Sequence, residues 1–119
     1  MIVISFVAKI DISRFDELRE KPLSGNLKVT KSTTACFVVR EEFVGKYADL
    51  RDNVLNECGQ RFGAFAAEVG TGNVEFGVQV SGYKEIESGS GFFLTPIFLN
   101  TIAEYSPWID VDFHETSFV

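Results

Sequence analysis

The residues best suited to chemistry are Asp110-x-Asp112-x-His114, which include the only histidine of the chain. In an extended strand, alternate residues stand on one face about 6.5–7 Å apart. Two carboxylates and an imidazole form a ligand set for a divalent ion, provided neighbouring strands add donors. Members of this set are too far apart to share one small ion without long reach. The same spacing describes a solvated polar face or a contact for a partner, so no metal ligand is assigned.

Other reactive arrangements are weaker still. A hydrolytic carboxylate pair needs one raised pKa in an apolar cleft, which an open sheet face does not offer. Serines are plentiful, but a single histidine on a terminal strand is a poor basis for a Ser-His-Asp triad. Pairing that histidine with Cys36 or Cys58 is no better supported. Gly70-x-Gly72 follows a helical stretch, where a phosphate cradle would precede one, and Gly89-x-Gly91 falls in a long loop. No catalytic residue and no cofactor is expected.

The elements that must position these residues follow from periodicity. Around the triplet, Ile109, Val111 and Phe113 alternate with Trp108, Asp110, Asp112 and His114. This predicts a strand with its apolar side buried and its charged side outward, in a sheet covered on one face. Upstream, Thr95-Pro96 starts a helix: Thr95 can accept a backbone N–H, and proline loses nothing at the first helical position. Phe98, Leu99, Ile102 and Tyr105 continue it, and Pro107 stops it. Val74, Phe76, Val78 and Val80 alternate with Glu75, Gly77, Gln79 and Ser81, another half-buried strand. A charged, glycine-rich loop over 84–91 follows.

The first strand, over 2–10, is apolar on one face and semi-apolar on the other, which predicts a central position. Ser13 with Asp16 predicts a capped helix, docked by Phe15 and Leu18. Strands over 27–31 and 35–43 flank a turn at Ser32-Thr33-Thr34. A helical stretch over 46–69 carries the apolar stripe Tyr47, Leu50, Val54, Cys58, Phe62, Phe65 and Val69. Gly59 and Gly63 interrupt the stripe; they either form a groove that brings the helix close to the sheet or break it near Gly59. The expected fold is α+β in a single domain over 1–119. It is a two-layer sandwich with a ferredoxin-like βαββαβ order, an added C-terminal αβ unit, and helices on one face of a mainly antiparallel sheet.

Gly91-Phe92-Phe93-Leu94-Thr95-Pro96, then Leu99, Ile102-Ala103 and Ile109-Asp110-Val111-Asp112-Phe113, resemble the end of a bacterial family of small proteins, the domain-of-unknown-function family numbered 4279. The resemblance covers about the last third of the chain. It implies the glycine-led helix start and a terminal strand with alternating aspartates. It carries no catalytic residue.

Composition narrows the function. The net charge is −6 at pH 7, which disfavours nucleic acid and anionic membranes, since both call for basic surface. The balance suits a basic protein partner, although solubility alone would also account for it. No apolar run is long enough to suggest a membrane-spanning helix. The start of the chain lacks the basic residues of a signal peptide and alternates like a strand, which predicts a mature, cytoplasmic protein. The two cysteines are then expected as buried, reduced thiols. The expectation is a non-enzymatic protein-binding module. Its concrete form is a bacterial immunity protein that neutralises a cognate toxin by covering a basic surface. Its partner-binding residues would be Glu75, Glu85, Glu87, Asp110, Asp112 and His114. The alternatives are a small enzyme or ligand-binding domain using the outer sheet face or a helix–sheet crevice, and a homo-oligomeric structural protein.

Overall fold

The computed structural model describes residues 1–21, 27–70, 72–83 and 94–114. Within them the chain is α+β. The elements are β1 (Ile2–Asp11), α1 (Phe15–Glu20), β2 (Leu27–Lys31), β3 (Ala35–Gly45), α2 (Asp52–Val69), β4 (Val74–Tyr83), α3 (Pro96–Ile102) and β5 (Trp108–His114). The strands form one mixed five-stranded sheet in the order β2-β3-β1-β4-β5. β1 is central, antiparallel to both β3 and β4, as its one apolar and one semi-apolar face predict. β2 runs antiparallel to β3, and β5 lies parallel to β4.

One face of the sheet carries the core. Ile2, Ile4, Phe6, Ala8 and Ile10 of β1 are buried, with Cys36 and Val38 of β3 and Phe76, Val78 and Val80 of β4 beside them. α2 lies on this face through Leu55, Cys58, Phe62, Phe65, Ala66 and Val69, all buried. The rings of Phe6 and Phe62 meet edge to face at 4.9 Å, a geometry that suits the aromatic quadrupole. Phe62 also meets Phe76 and Tyr105, so one helix residue ties the sheet to the segment after α3.

Several sequence expectations are corrected in detail. The helix expected over 46–69 is divided: a 3-10 turn spans Tyr47–Asp49, Leu50 and Arg51 are non-helical, and α2 begins at Asp52. From there α2 runs unbroken through Gly59 and Gly63. The groove at Gly59 does not receive the sheet. A Cβ there would stand 3.3 Å from the ring of Phe98 and 3.4 Å from Thr101, so the missing side chain lets α3 approach. Ser13 is not a helix cap. Asp11, at the end of β1, accepts the Ser13 N–H at 2.9 Å, and a 3-10 turn over Ile12–Arg14 leads into α1. Thr95 does cap α3, accepting the Phe98 N–H at 3.2 Å, with Pro96 opening the helix. The loop over 84–91 lies outside the described residues.

The largest correction concerns β5. Ile109, Val111 and Phe113 were expected in the core, yet they are 38%, 42% and 65% exposed. Their orientation agrees with expectation, because Val78 pairs with Ile109 and Val80 with Val111, and both partners face the core. Their position does not: β5 ends the sheet, and the buried side chains of α3 are seated against α2.

Candidate functional site

The opposite face of the sheet presents the residues singled out for chemistry. Its rows follow from the register. Trp108, Gly77, Val7, Val39 and Lys28 lie side by side across all five strands. Asp110, Gln79, Ser5 and Glu41 form the next row, and Asp112, Ser81, Val3 and Val44 the one after. The pattern is a strip that is apolar from Trp108 to Val39 and ends in the exposed Lys28, beneath two rows whose β5 ends are carboxylates.

Trp108 shapes this face. A Cβ on Gly77 would collide with the indole ring, so the ring lies across the backbone of β4. Only glycine permits so close an approach. The result is a flat aromatic surface beside Asp110. Two residues further on, Asp112 Oδ2 lies 3.3 Å from His114 Nε2. His114 stacks on Tyr83 with ring centroids 5.0 Å apart and planes 18° from parallel. Asp112 Oδ1 is shielded from solvent and has no hydrogen-bond partner among the described residues, while the side chain as a whole is 42% exposed.

The expected site residues are only partly brought together. Asp110, Asp112 and His114 share the outer side of β5. Glu75 is on the same face, six residues before the Ser81 that pairs with Asp112, so about 20 Å separates them along the strand direction. Glu75 instead pairs across strands with Lys9. Both line a groove of about 540 Å³ together with Asp11, Arg14 and Asn73. There, hydrogen bonds from the Ser13 side chain and backbone N–H hold the Asp11 carboxyl below its ordinary range. Glu85 and Glu87 lie outside the described residues. Among the described residues, no group of three or more His, Cys, Asp or Glu side chains is placed to hold a metal ion.

One charged cluster escaped the sequence reading. Arg40 points to the core side of β3, opposite Phe6, with its guanidinium 5.3 Å from the Phe6 ring and 5.5 Å from that of Phe65. Glu42 occupies a β-bulge, the irregularity between the pairs Ile4–Phe43 and Ser5–Glu41. A bulge re-aims a side chain. The Glu42 side chain, 5% exposed, receives Arg40 at 3.0 Å on one oxygen and Arg61 at 3.0 Å on the other. Arg40 also donates to the Arg61 carbonyl at 3.1 Å, which pins β3 to α2. A signal for this was present: strand alternation from Cys36 and Val38 turns Arg40 inward, and a charge facing a core needs a partner. Glu57, 3.5 Å from Arg61, supplies the second carboxylate that balances the two arginines, and the cluster is structural.

The cysteines behave likewise. Cys36 and Cys58 are free and buried. Burial pushes the Cys58 thiol up to about 11, with Glu42 adding to the effect, and burial raises Cys36 as well. Neutral, enclosed thiols are poor nucleophiles. No helix among the described residues is long and apolar enough to cross a membrane. In comparisons with known proteins, no family model, no curated protein and no solved structure matches the chain.

Proposed function

We propose that this α+β protein is a non-enzymatic binding module that takes a basic protein partner on the outer face of β5. In concrete form it is a bacterial immunity-type protein that neutralises a toxin by covering its basic surface. The observation that carries this reading is the juxtaposition of a flattened Trp108 with Asp110 and Asp112. Interfaces favour aromatic anchors, and carboxylates beside the anchor select a cationic partner and speed its arrival. The net charge of −6 extends that attraction beyond the contact itself.

The fold reading that accompanies it is a two-layer sandwich. The order β2-β3-β1-β4 and its antiparallel pairings support a ferredoxin-like core, with α3 and β5 appended. The Thr95–Pro96 helix start and the alternating aspartates support the resemblance to the family numbered 4279. The two free, buried thiols support a cytoplasmic setting.

Surface plasmon resonance against the product of an adjacent toxin gene tests the proposal. Binding should weaken as salt rises, because exposed charges are screened over about 8 Å near physiological ionic strength. Changing both Asp110→Lys and Asp112→Lys should slow association. Absence of binding, or unaltered binding by the double variant, would remove this face from the account.

A further inference from the structure

We propose that the anchor of the basic partner is an arginine, whose guanidinium lies on the indole of Trp108 and forks onto the carboxylate of Asp110. The inference rests on the reading of the outer face of β5 as the partner-binding surface, and it names the side chain that this surface selects.

Three residues build the cradle. Trp108 pairs with Gly77 and Asp110 with Gln79, so the four positions mark the corners of a rectangle on the outer face. Gly77 contributes no side chain, and the indole lies over the place where a Cβ would stand. One side of the ring therefore rests on the backbone of β4, and the other is turned away from the sheet. Trp108 and Gln79 are half-buried, and Asp110 is exposed. Trp108 and Asp110 stand about 6.5–7 Å apart, as alternate strand residues do. A cation within about 6 Å of a ring centroid is attracted by the ring quadrupole. A guanidinium over the indole therefore reaches Asp110 with its outer N–H groups, and the Gln79 amide oxygen is a further acceptor.

Arginine fits this cradle better than lysine. Its guanidinium is planar, stacks on aromatic faces, is weakly hydrated and offers paired donors that match a carboxylate, whereas an ammonium is a compact, strongly hydrated point charge. The protein already uses the combination inside its own core. Arg40 holds its guanidinium 5.3 Å from the Phe6 ring and 5.5 Å from that of Phe65 while meeting Glu42 at 3.0 Å. On β5 this chain supplies the ring and the carboxylate, and the partner supplies the guanidinium. Asp110 is the acceptor rather than Asp112, which stands two positions further from Trp108 and lies 3.3 Å from His114.

The probes are hexaarginine and hexalysine, titrated into the intact protein at low salt. Both carry the same charge, so net attraction acts on them alike and the ratio of their affinities reads the guanidinium. Anisotropy of fluorescein-labelled peptide gives the affinities. The emission of Trp108, the only tryptophan, reports contact with unlabelled peptide. Hexaarginine should bind about fivefold more tightly and change Trp108 emission. Glu20→Gln, which removes an exposed carboxylate from α1, should weaken both peptides alike and keep the ratio. Asp110→Asn and Trp108→Leu should each bring the ratio towards one. Asp110 is exposed, so its variant keeps the test open should the tryptophan variant fail to fold. Equal affinities in the wild-type protein, no binding of hexaarginine, or a ratio that survives Asp110→Asn overturns the arginine anchor. So does failure of acrylamide to quench Trp108 in the free protein, which means that the ring is covered. Trp108 emission that shifts with protein concentration and needs no peptide assigns the cradle to a second copy and overturns it as well. The two proposals fail separately. A toxin whose affinity falls with the double lysine variant but is unaltered by Trp108→Leu removes the arginine anchor and leaves the binding face. Unaltered toxin affinity in the double lysine variant, with hexaarginine still preferred by the wild-type protein, removes the toxin reading of this face instead.

Discussion

β1 lies in the middle of the sheet and β5 at its edge, and both alternate apolar and polar residues. In β1 the inward side chains Ile2, Ile4, Phe6 and Ala8 are fully buried under α2. In β5 the inward side chains Ile109 and Val111 remain 38% and 42% exposed. The pattern states which way a side chain points. Coverage is decided by what lies above it, and an edge strand has a neighbour on one side only. The same contrast divides the carboxylates. Glu42 is 5% exposed between two arginines and serves cohesion, while Asp110 is exposed on the outer face of β5.

That contrast can be broken or sharpened by measurement. Phe62→Ala should produce the largest loss, about 3–5 kcal/mol in urea unfolding, because the ring fills the centre of the core. Glu42→Gln should come next, at roughly 2–3 kcal/mol, since Arg40 keeps its buried position and loses the anion that balances it. A negligible effect there would mean that the cluster is solvated and would erase the distinction between Glu42 and the β5 aspartates. Val111→Asp should cost only about 1 kcal/mol, as a partly exposed edge position tolerates charge. A loss equal to that of Phe62→Ala would show β5 to be as covered as β1.

The last effect is absent at neutral pH and enters only under alkaline conditions. Cys58 has a folded-state value of about 11 against an ordinary 9.0. Between those values the unfolded chain releases the thiol proton while the folded chain retains it. Stability is therefore fully present below pH 9 and declines as pH rises towards 11. Cys58→Ala should remove that part of the decline, as read from urea midpoints across the alkaline range. An identical slope in the variant would place the thiol outside the core.

Much of the local structure was legible. The alternation over 2–10 marked a strand apolar on one face and semi-apolar on the other, and β1 pairs with a neighbour on each side. Thr95-Pro96 marked a helix start because both residues act through their own backbone geometry and need no distant partner. The start of α2 was harder. Tyr47 and Leu50 continue a helical stripe, but they pack against the core from a 3-10 turn and the non-helical residue that ends it. Periodicity does not distinguish those backbones from a helix.

The candidate site divides in the same way. That Asp110, Asp112 and His114 share one side of a strand follows from a period of two, which any strand obeys. That Trp108 lies across Gly77 depends on a parallel register between residues thirty-one positions apart in sequence. Glu42 reaches Arg40 and Arg61 only because a bulge in β3 re-aims it beneath a helix. By itself the sequence determined side-chain direction, the start of α3 and the acidic balance, all properties of short segments or of sums over the chain. Tertiary structure alone decided burial, strand order and cross-strand contact, because these depend on which distant segments come to lie side by side.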